Sequence, residues 1–254
     1  MNDFDPCRLP NGRIAFISER RIGYGNEKGA RAVLGTVPVE SDGSAYFELP
    51  AGKSVYFQAL DERGLAVQSM RSDTYVHPGE RLVCRGCHEP RASAPGVRDG
   101  FAAAFRRSPS KIQAEVDGSN PFSFPRLVQP VLERNCVACH EKDPQGTDLR
   151  KGDWEKDPNY RYASYRNLRD YTFFYGATDN TYDPWSEPRT VPGKFGALGS
   201  KLYGILAAEH YGLNLSGEDL SRIALWLDCN SDFFGAYEDT QAQARGEVVR
   251  PGLE

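Results

Sequence analysis

Residues 122–140 read FSFPRLVQPVLERNCVACH, and the Cys-x-x-Cys-His at the end of that stretch occurs once more, as CRGCH at 84–88. The chain has six cysteines (Cys7, Cys84, Cys87, Cys136, Cys139, Cys229) and only four histidines, and each C-x-x-C pair is followed at once by one of those histidines. Two thiols at that spacing match the two vinyl groups of haem, and the histidine after the second thiol is carried to the iron as an axial ligand. Cys84, Cys87, Cys136 and Cys139 are therefore expected to attach two covalently bound haem c groups, with His88 and His140 as the proximal ligands. A four-cysteine zinc-binding module is the competing reading. Its two knuckles are ordinarily about 15–20 residues apart, whereas Cys87 and Cys136 are much further separated here. A redox C-x-x-C would belong in a βαβ pattern, which the sequence lacks, and disulfides would leave the histidines unexplained.

The stretch leading into Cys136 also sets the fold of the second half. Its apolar residues are spaced for a helix that delivers its last turn into the motif, as at the start of a cytochrome c domain, and Pro130 predicts a kink or a late start. Further on, SKLYGILAAEH (200–210) predicts a helix capped by Ser200, with Leu202, Ile205 and Leu206 on one face. Ser216 and Asp219 form a capping pattern ahead of Leu220, Ile223, Ala224 and Leu227, an amphipathic helix. Residues 158–195, rich in Tyr, Phe, Pro and Gly, are expected to form an irregular insertion.

Upstream the period changes from helical to alternating. AVLGTVPVE, AYFELP, SVYFQAL and LAVQS alternate apolar and polar residues and are divided by SDGS, PAGK and DERG turns. The expected fold class is thus α+β multidomain, a small antiparallel β-sandwich followed by a mainly α-helical cytochrome c-like domain. Residues 32–120 are assigned to the sandwich with the first motif and a Pro/Ser/Gly-rich connection. Residues 121–236 form the helical domain with the second motif, and 237–254 a flexible tail. Residues 1–31 hold one short strand, NGRIAFISERR, with no repeat elsewhere, so a full propeller or solenoid is excluded.

Composition narrows the function classes. The chain of 254 residues, 39% hydrophobic and 26% charged, suits a globular protein. No apolar run is long enough to span a membrane. A net charge of -4 argues against a nucleic-acid partner, which would favour a basic excess.

Each haem iron has a second axial position, usually filled by Met or His. Met1 and Met70 both precede the second motif, which leaves His77 and His210. His210 lies at the edge of the apolar face of its predicted helix and is assigned to the second iron. His77, in YVHPGE, is the candidate for the first iron, and an exposed turn histidine is the alternative.

With these motifs placed, VLGTVPVESDGSAYFELPAGKSVYFQALDERGLAVQSMRS through CRGCHEPR resembles the middle domain of the hydrazine synthase alpha-subunit family. FPRLVQPVLERNCVACH, SKLYGIL and LSGEDLSRIALWLDCNSDFFG resemble the cytochrome c domain that follows it, and FDPCRLPNGRIAFISERR resembles a strand pair of the propeller that precedes it. The resemblance implies an exported protein, in the periplasm or its equivalent, with one haem in each domain and His210 as a distal ligand. It also implies a redox partner protein and allows a hetero-oligomer with other subunits. Most of the propeller has no counterpart, and Met1–Asp5 carries no signal sequence, so a truncated N-terminus is expected. Glu89-Pro90-Arg91-Ala92 offers no tyrosine after the first motif, where the family is expected to use one, so hydrazine synthesis is not carried over. The resulting expectation is electron transfer by a dihaem cytochrome. The alternative is a haem enzyme acting on a small nitrogenous or oxygenated ligand at the first haem, with no catalytic residue named.

Overall fold

The computed structural model describes residues 13–19, 31–70, 73–85, 100–114, 116, 122–143, 145–173, 191–208, 210–236 and 238–249, with the backbone alone for 13–19 and 31. One four-stranded antiparallel sheet holds β1 (Arg13–Glu19), β2 (Arg31–Pro38), β3 (Tyr56–Leu60) and β4 (Ala66–Ser69) in the order β2-β1-β3-β4. Helices follow: α1 (Phe124–Leu127), α2 (Gln129–Asn135), α3 (Val137–His140), α4 (Ala163–Asn167), α5 (Gly196–Gly199), α6 (Lys201–Ala207), α7 (Gly217–Asp228) and α8 (Thr240–Ala244).

The sheet corrects the sequence reading in three ways. β1, expected to belong to a separate N-terminal segment, is an inner strand: Ile14 is opposite Val37 on one side and Ala59 on the other. AYFELP is not a strand among the described residues, because the pairing of Phe47 with Ser110 is an isolated bridge. A second sheet, which a sandwich requires, is absent among the described residues, and segment 100–114 packs against the sheet unit instead. Thr36 and Gln113 exchange backbone hydrogen bonds of 2.8 and 2.9 Å. This approach needs Gly35: a Cβ there would stand 2.1 Å from the Gln113 carbonyl oxygen, on a backbone at φ +132°. Asp42 accepts from the Ala103 N–H at 2.8 Å and from Ser44 Oγ at 2.6 Å, and these bonds hold its carboxyl down at about 2. The first part of the presumed connection is therefore tied to the sheet unit by hydrogen bonds.

The helical part is built on Phe124. Its ring is fully buried, 5.1 Å from Trp226, 5.5 Å from Phe233 and 5.2 Å from Tyr165. Pro125 occupies the first turn of α1, where a missing N–H leaves no hydrogen bond unmade. Pro130 does the same for α2, so the predicted single helix breaks at Val128 into two. The caps follow the sequence reading: Ser200 Oγ accepts from the Tyr203 N–H and Ser216 Oγ from the Asp219 N–H, each at 3.1 Å, and each satisfies an otherwise orphaned donor of the first turn. α7 buries Ile223, Ala224 and Leu227 and also Trp226.

The tail is the further correction. Ala242, Gln243 and Ala244 of α8 are buried; Gln243 Nε2 donates to the Ala236 carbonyl at 2.8 Å, and its Oε1 accepts from the Gly235 N–H at 3.1 Å. Tyr162 Oη donates to the Ala244 carbonyl. Residues 238–247 thus close the helical core.

Sheet and helices meet at Asp228, the last residue of α7. Its carboxylate accepts from the Ala66 N–H of β4 at 3.0 Å and from the Ala197 N–H of α5 at 2.7 Å, and its carbonyl accepts from Gln58 Nε2 of β3 at 2.8 Å. Gly196 leaves room for it, since a Cβ there would lie 2.1 Å from Asp228 Oδ1. Burial pushes the Asp228 carboxyl up to about 7; the two N–H donors pull it down by less, and the charge of Asp61 adds to the rise. A carboxyl raised above its ordinary value binds protons more readily in the folded state. Its contribution to stability is complete below about pH 4 and is lost as pH rises towards 7. Asp228→Asn removes that titration, whereas the lowered carboxyls such as Asp42 titrate in both proteins and cancel. The unfolding free energy of the wild type relative to Asp228→Asn is expected to fall by a few kcal/mol between pH 4 and 7.5. Urea titrations at a series of pH values check this; a pH-independent difference would contradict it.

Candidate functional site

The second motif is delivered by α2 and carried on α3. Cys136 closes α2, its N–H donating to the Leu132 carbonyl at 2.9 Å, and the His140 N–H returns to the Cys136 carbonyl at 3.1 Å. One turn of helix therefore presents both sulfurs and the imidazole together. Cys136 is buried, and that burial, with the neighbouring Cys139 and Asp219, raises its thiol to about 11, so the sulfur is held protonated. Cys139 is exposed, and neither is in a disulfide. The end of α2 is pinned to the first turn of α7, where Asp219 accepts from Arg134 at 2.5 Å and from Asn135 Nδ2 at 3.1 Å. Asp219 was legible as a capping residue; its hold on the motif helix had no sequence signal.

His140 and His210 are brought together. Their ring centroids are 6.0 Å apart with the planes inclined by 28°. Two imidazoles bound to one metal through one nitrogen each have centroids roughly 6 Å apart, from two bonds of about 2 Å and two ring radii of about 1.1 Å. His140 Nδ1 lies 3.0 Å from the Thr147 carbonyl oxygen, an acceptor only. The proton is therefore on Nδ1 and the Nε2 lone pair is left for a metal, the orientation that ligating histidines usually receive from a backbone carbonyl.

His210 is not in the helix expected for it. α6 stops at Ala207, and His210 opens a 3-10 turn over His210–Gly212. Tyr211 sits in that turn at φ +48°, which is unusual for a bulky side chain. Its ring stands 4.8 Å from the His210 ring at an interplanar angle of 79°. The edge-to-face contact sets an aromatic ring against the His210 imidazole, which sequence reading did not foresee.

The first motif is described in part. Cys84 is exposed and free, and Cys87 and His88 lie outside the described residues. His77 is an exposed turn residue: its N–H donates to Glu80 Oε2 at 2.7 Å, the Glu80 N–H returns to its carbonyl at 3.1 Å, and its ring stands 5.3 Å from Tyr75. Among the described residues no group of three or more His, Cys, Asp or Glu side chains converges as a metal site, and Cys87, one of the four thiols of the zinc reading, lies outside them. His140 and His210 face one another with no third His, Cys, Asp or Glu converging on them among the described residues. No helix among the described residues is long and apolar enough to cross a membrane.

A four-stranded antiparallel sheet joined to a helical unit, with a C-x-x-C-H motif on a helix facing a second histidine, defines a mixed α/β protein. Comparison with known proteins then gives its relationship. The family described as hydrazine synthase alpha subunit middle domain matches residues 18–89, from the end of β1 through the first motif. Hydrazine synthase subunit alpha of Kuenenia stuttgartiensis is 36% identical over 58 residues, 23% of this chain and 7% of that protein. The solved structure of Kuenenia stuttgartiensis hydrazine synthase matches with a TM-score of 0.57 at 17% identity, over 91% of this chain and 41% of that one. At that identity the likeness is one of fold, and the match covers less than half of the solved chain. The chain is related to the hydrazine synthase alpha-subunit family through its middle domain.

Proposed function

We propose that the protein is a c-type cytochrome with two covalently attached haems, whose function is one-electron transfer. The observation that carries this reading is the facing pair His140 and His210 beside Cys136 and Cys139, with the His140 tautomer fixed by the Thr147 carbonyl. Cys136 and Cys139 would hold the second haem, and Cys84 and Cys87 the first, with His88 as its proximal ligand and His77 as a candidate for its other face. The bound group supplies a reversible one-electron couple. The chain would supply the His140 and His210 nitrogens that hold the group, the Asp219 brace that fixes the motif helix, and the Tyr211 ring beside His210. In this reading residues 121–236 are a cytochrome c-like domain and 32–120 a haem-bearing sheet domain. The relationship to the alpha-subunit family supports export to the periplasm or its equivalent, a redox partner protein, and assembly with other subunits.

Expression with a signal peptide in a host competent for haem attachment tests the proposal. The denatured chain is expected to exceed the mass of the polypeptide by two haems, and Cys136→Ser/Cys139→Ser to lose one of them while the first stays. A colourless product from that host, or a mass equal to the polypeptide alone, overturns it.

A further inference from the structure

We infer that the cleft between the sheet and α7 is a binding site for a small aliphatic monocarboxylate, whose carboxylate is held by Arg63 and the Tyr203 hydroxyl. The site is separate from the His140/His210 pair and does not depend on the haem reading. A cavity of about 300 Å³ opens there, walled by Val33, Leu60, Leu65, Leu220, Ala224 and Leu225. Arg63, in the turn between β3 and β4, and Tyr203 of α6 also line it. That volume is at the lower end of the range for small-molecule sites, and apolar walls around a few polar groups are their usual construction.

Arg63 is held in place and has donors to spare. Asp61 Oδ2 accepts from its Nε at 3.0 Å and from its Nη2 at 2.8 Å, while Asp61 Oδ1 accepts from the Arg63 and Leu65 N–H groups, each at 2.9 Å. The Asp61 carboxylate is thus taken up on one edge of the guanidinium. Nη1 makes no hydrogen bond among the described residues, and the side chain is 57% exposed, so that edge is open to a ligand. A guanidinium fixed by one carboxylate presents its remaining N–H groups at little further entropic cost, in a fork that suits a second carboxylate.

Tyr203 is the second donor. It is 9% exposed, and its hydroxyl has no hydrogen-bond partner among the described residues. The polar side-chain atoms enclosed without a partner belong to Gln58, Arg107, Ser123 and Ser231, so the partnerless Tyr203 oxygen keeps an accessible face. Burial raises this hydroxyl above the ordinary tyrosine value and the Arg63 charge pulls it back, which sets it within electrostatic reach of the guanidinium and keeps it a donor at neutral pH. The surrounding charges do not oppose an anion. Arg63 and Asp61 cancel, and Asp228, pushed up to about 7, is neutral at pH 6. Glu218 and Asp219, at the start of α7, are paired with Arg222 and Arg134 at 2.8 and 2.5 Å.

The test is saturation-transfer NMR on the full chain at pH 6, with hexanoate as the probe. Hexanamide is the uncharged control, and acetate the control without an apolar body. Hexanoate is expected to show transfer, and each control to bind about tenfold more weakly, through loss of a charge-assisted hydrogen bond or of buried methylenes. Arg63→Gln is expected to weaken hexanoate by about tenfold as well. Tyr203→Phe, which removes the hydroxyl and keeps the ring, should weaken it about fivefold; this second variant keeps the test valid if Arg63→Gln fails to fold. No transfer from hexanoate, equal binding of hexanoate and either control, or undiminished binding to either folded variant overturns the inference and leaves the cavity to water.

Discussion

Replacing His210 with alanine is expected to turn one low-spin haem into a high-spin, CO-binding one while the covalent attachment at Cys136 and Cys139 survives. The expectation follows from the facing rings, 6.0 Å apart, and from the lack of any methionine beyond Met70 in the chain. With both imidazoles in place the site should have a lower potential than a His/Met cytochrome c, because a thioether favours ferrous iron and a second imidazole does not. Absorption and EPR spectra of the variant, with and without CO, read the change directly. An unchanged spectrum assigns the distal position to another side chain and removes His210 from the site. Tyr211→Ala serves as the companion experiment: it takes away only the wall against His210, so the haem should stay low-spin.

Phe124→Ala is expected to be the most destabilising single truncation, by about 3–5 kcal/mol, because it opens a cavity where Tyr165, Trp226 and Phe233 all converge. The same ring begins the helix pair that leads into Cys136, so the loss should also loosen the motif helix and its Asp219 brace. Denaturant unfolding of the full chain measures it. Phe101→Ala is the control, at a residue that is 70% exposed. Its truncation should change stability by no more than about 0.5 kcal/mol. A loss at Phe124 no larger than at Phe101 would mean that the aromatic cluster does not hold the helical unit together.

What was legible in the sequence was local. The cap at Ser216, the face of α7 and the break at Pro130 all follow from residues within a few positions of one another. Elimination singled out His210 because the chain has four histidines, and its ring does lie 6.0 Å from that of His140. The features that escaped are long-range or polar. Nothing in RIAFISE says that it lies between β2 and β3, since strand pairing is chosen by partners far along the chain. Gln243 reads as a tail residue because its hold is on backbone groups of 235–238, which have no sequence signature, and the Thr147 carbonyl that orients His140 is hidden for the same reason. Asp228 drew no reading from the sequence; only β4 and α5 closing over it make it a buried joint.

That joint has a consequence in time. Ala66 and Asp228 are 162 residues apart in the chain, so the partner that completes the sheet's buried polar contacts is made long after the sheet itself. At a synthesis rate of about 5–20 residues per second the delay is roughly 8–30 s, far longer than a hairpin needs to form. For the last part of that interval, after Cys139 is made, both cysteine pairs are in the chain while α7 (Gly217–Asp228) is incomplete, and Cys136, buried in the finished fold, is not yet enclosed. On the haem reading, a variant that hastened the closure of α7 is expected to compete with attachment at Cys136 rather than assist it.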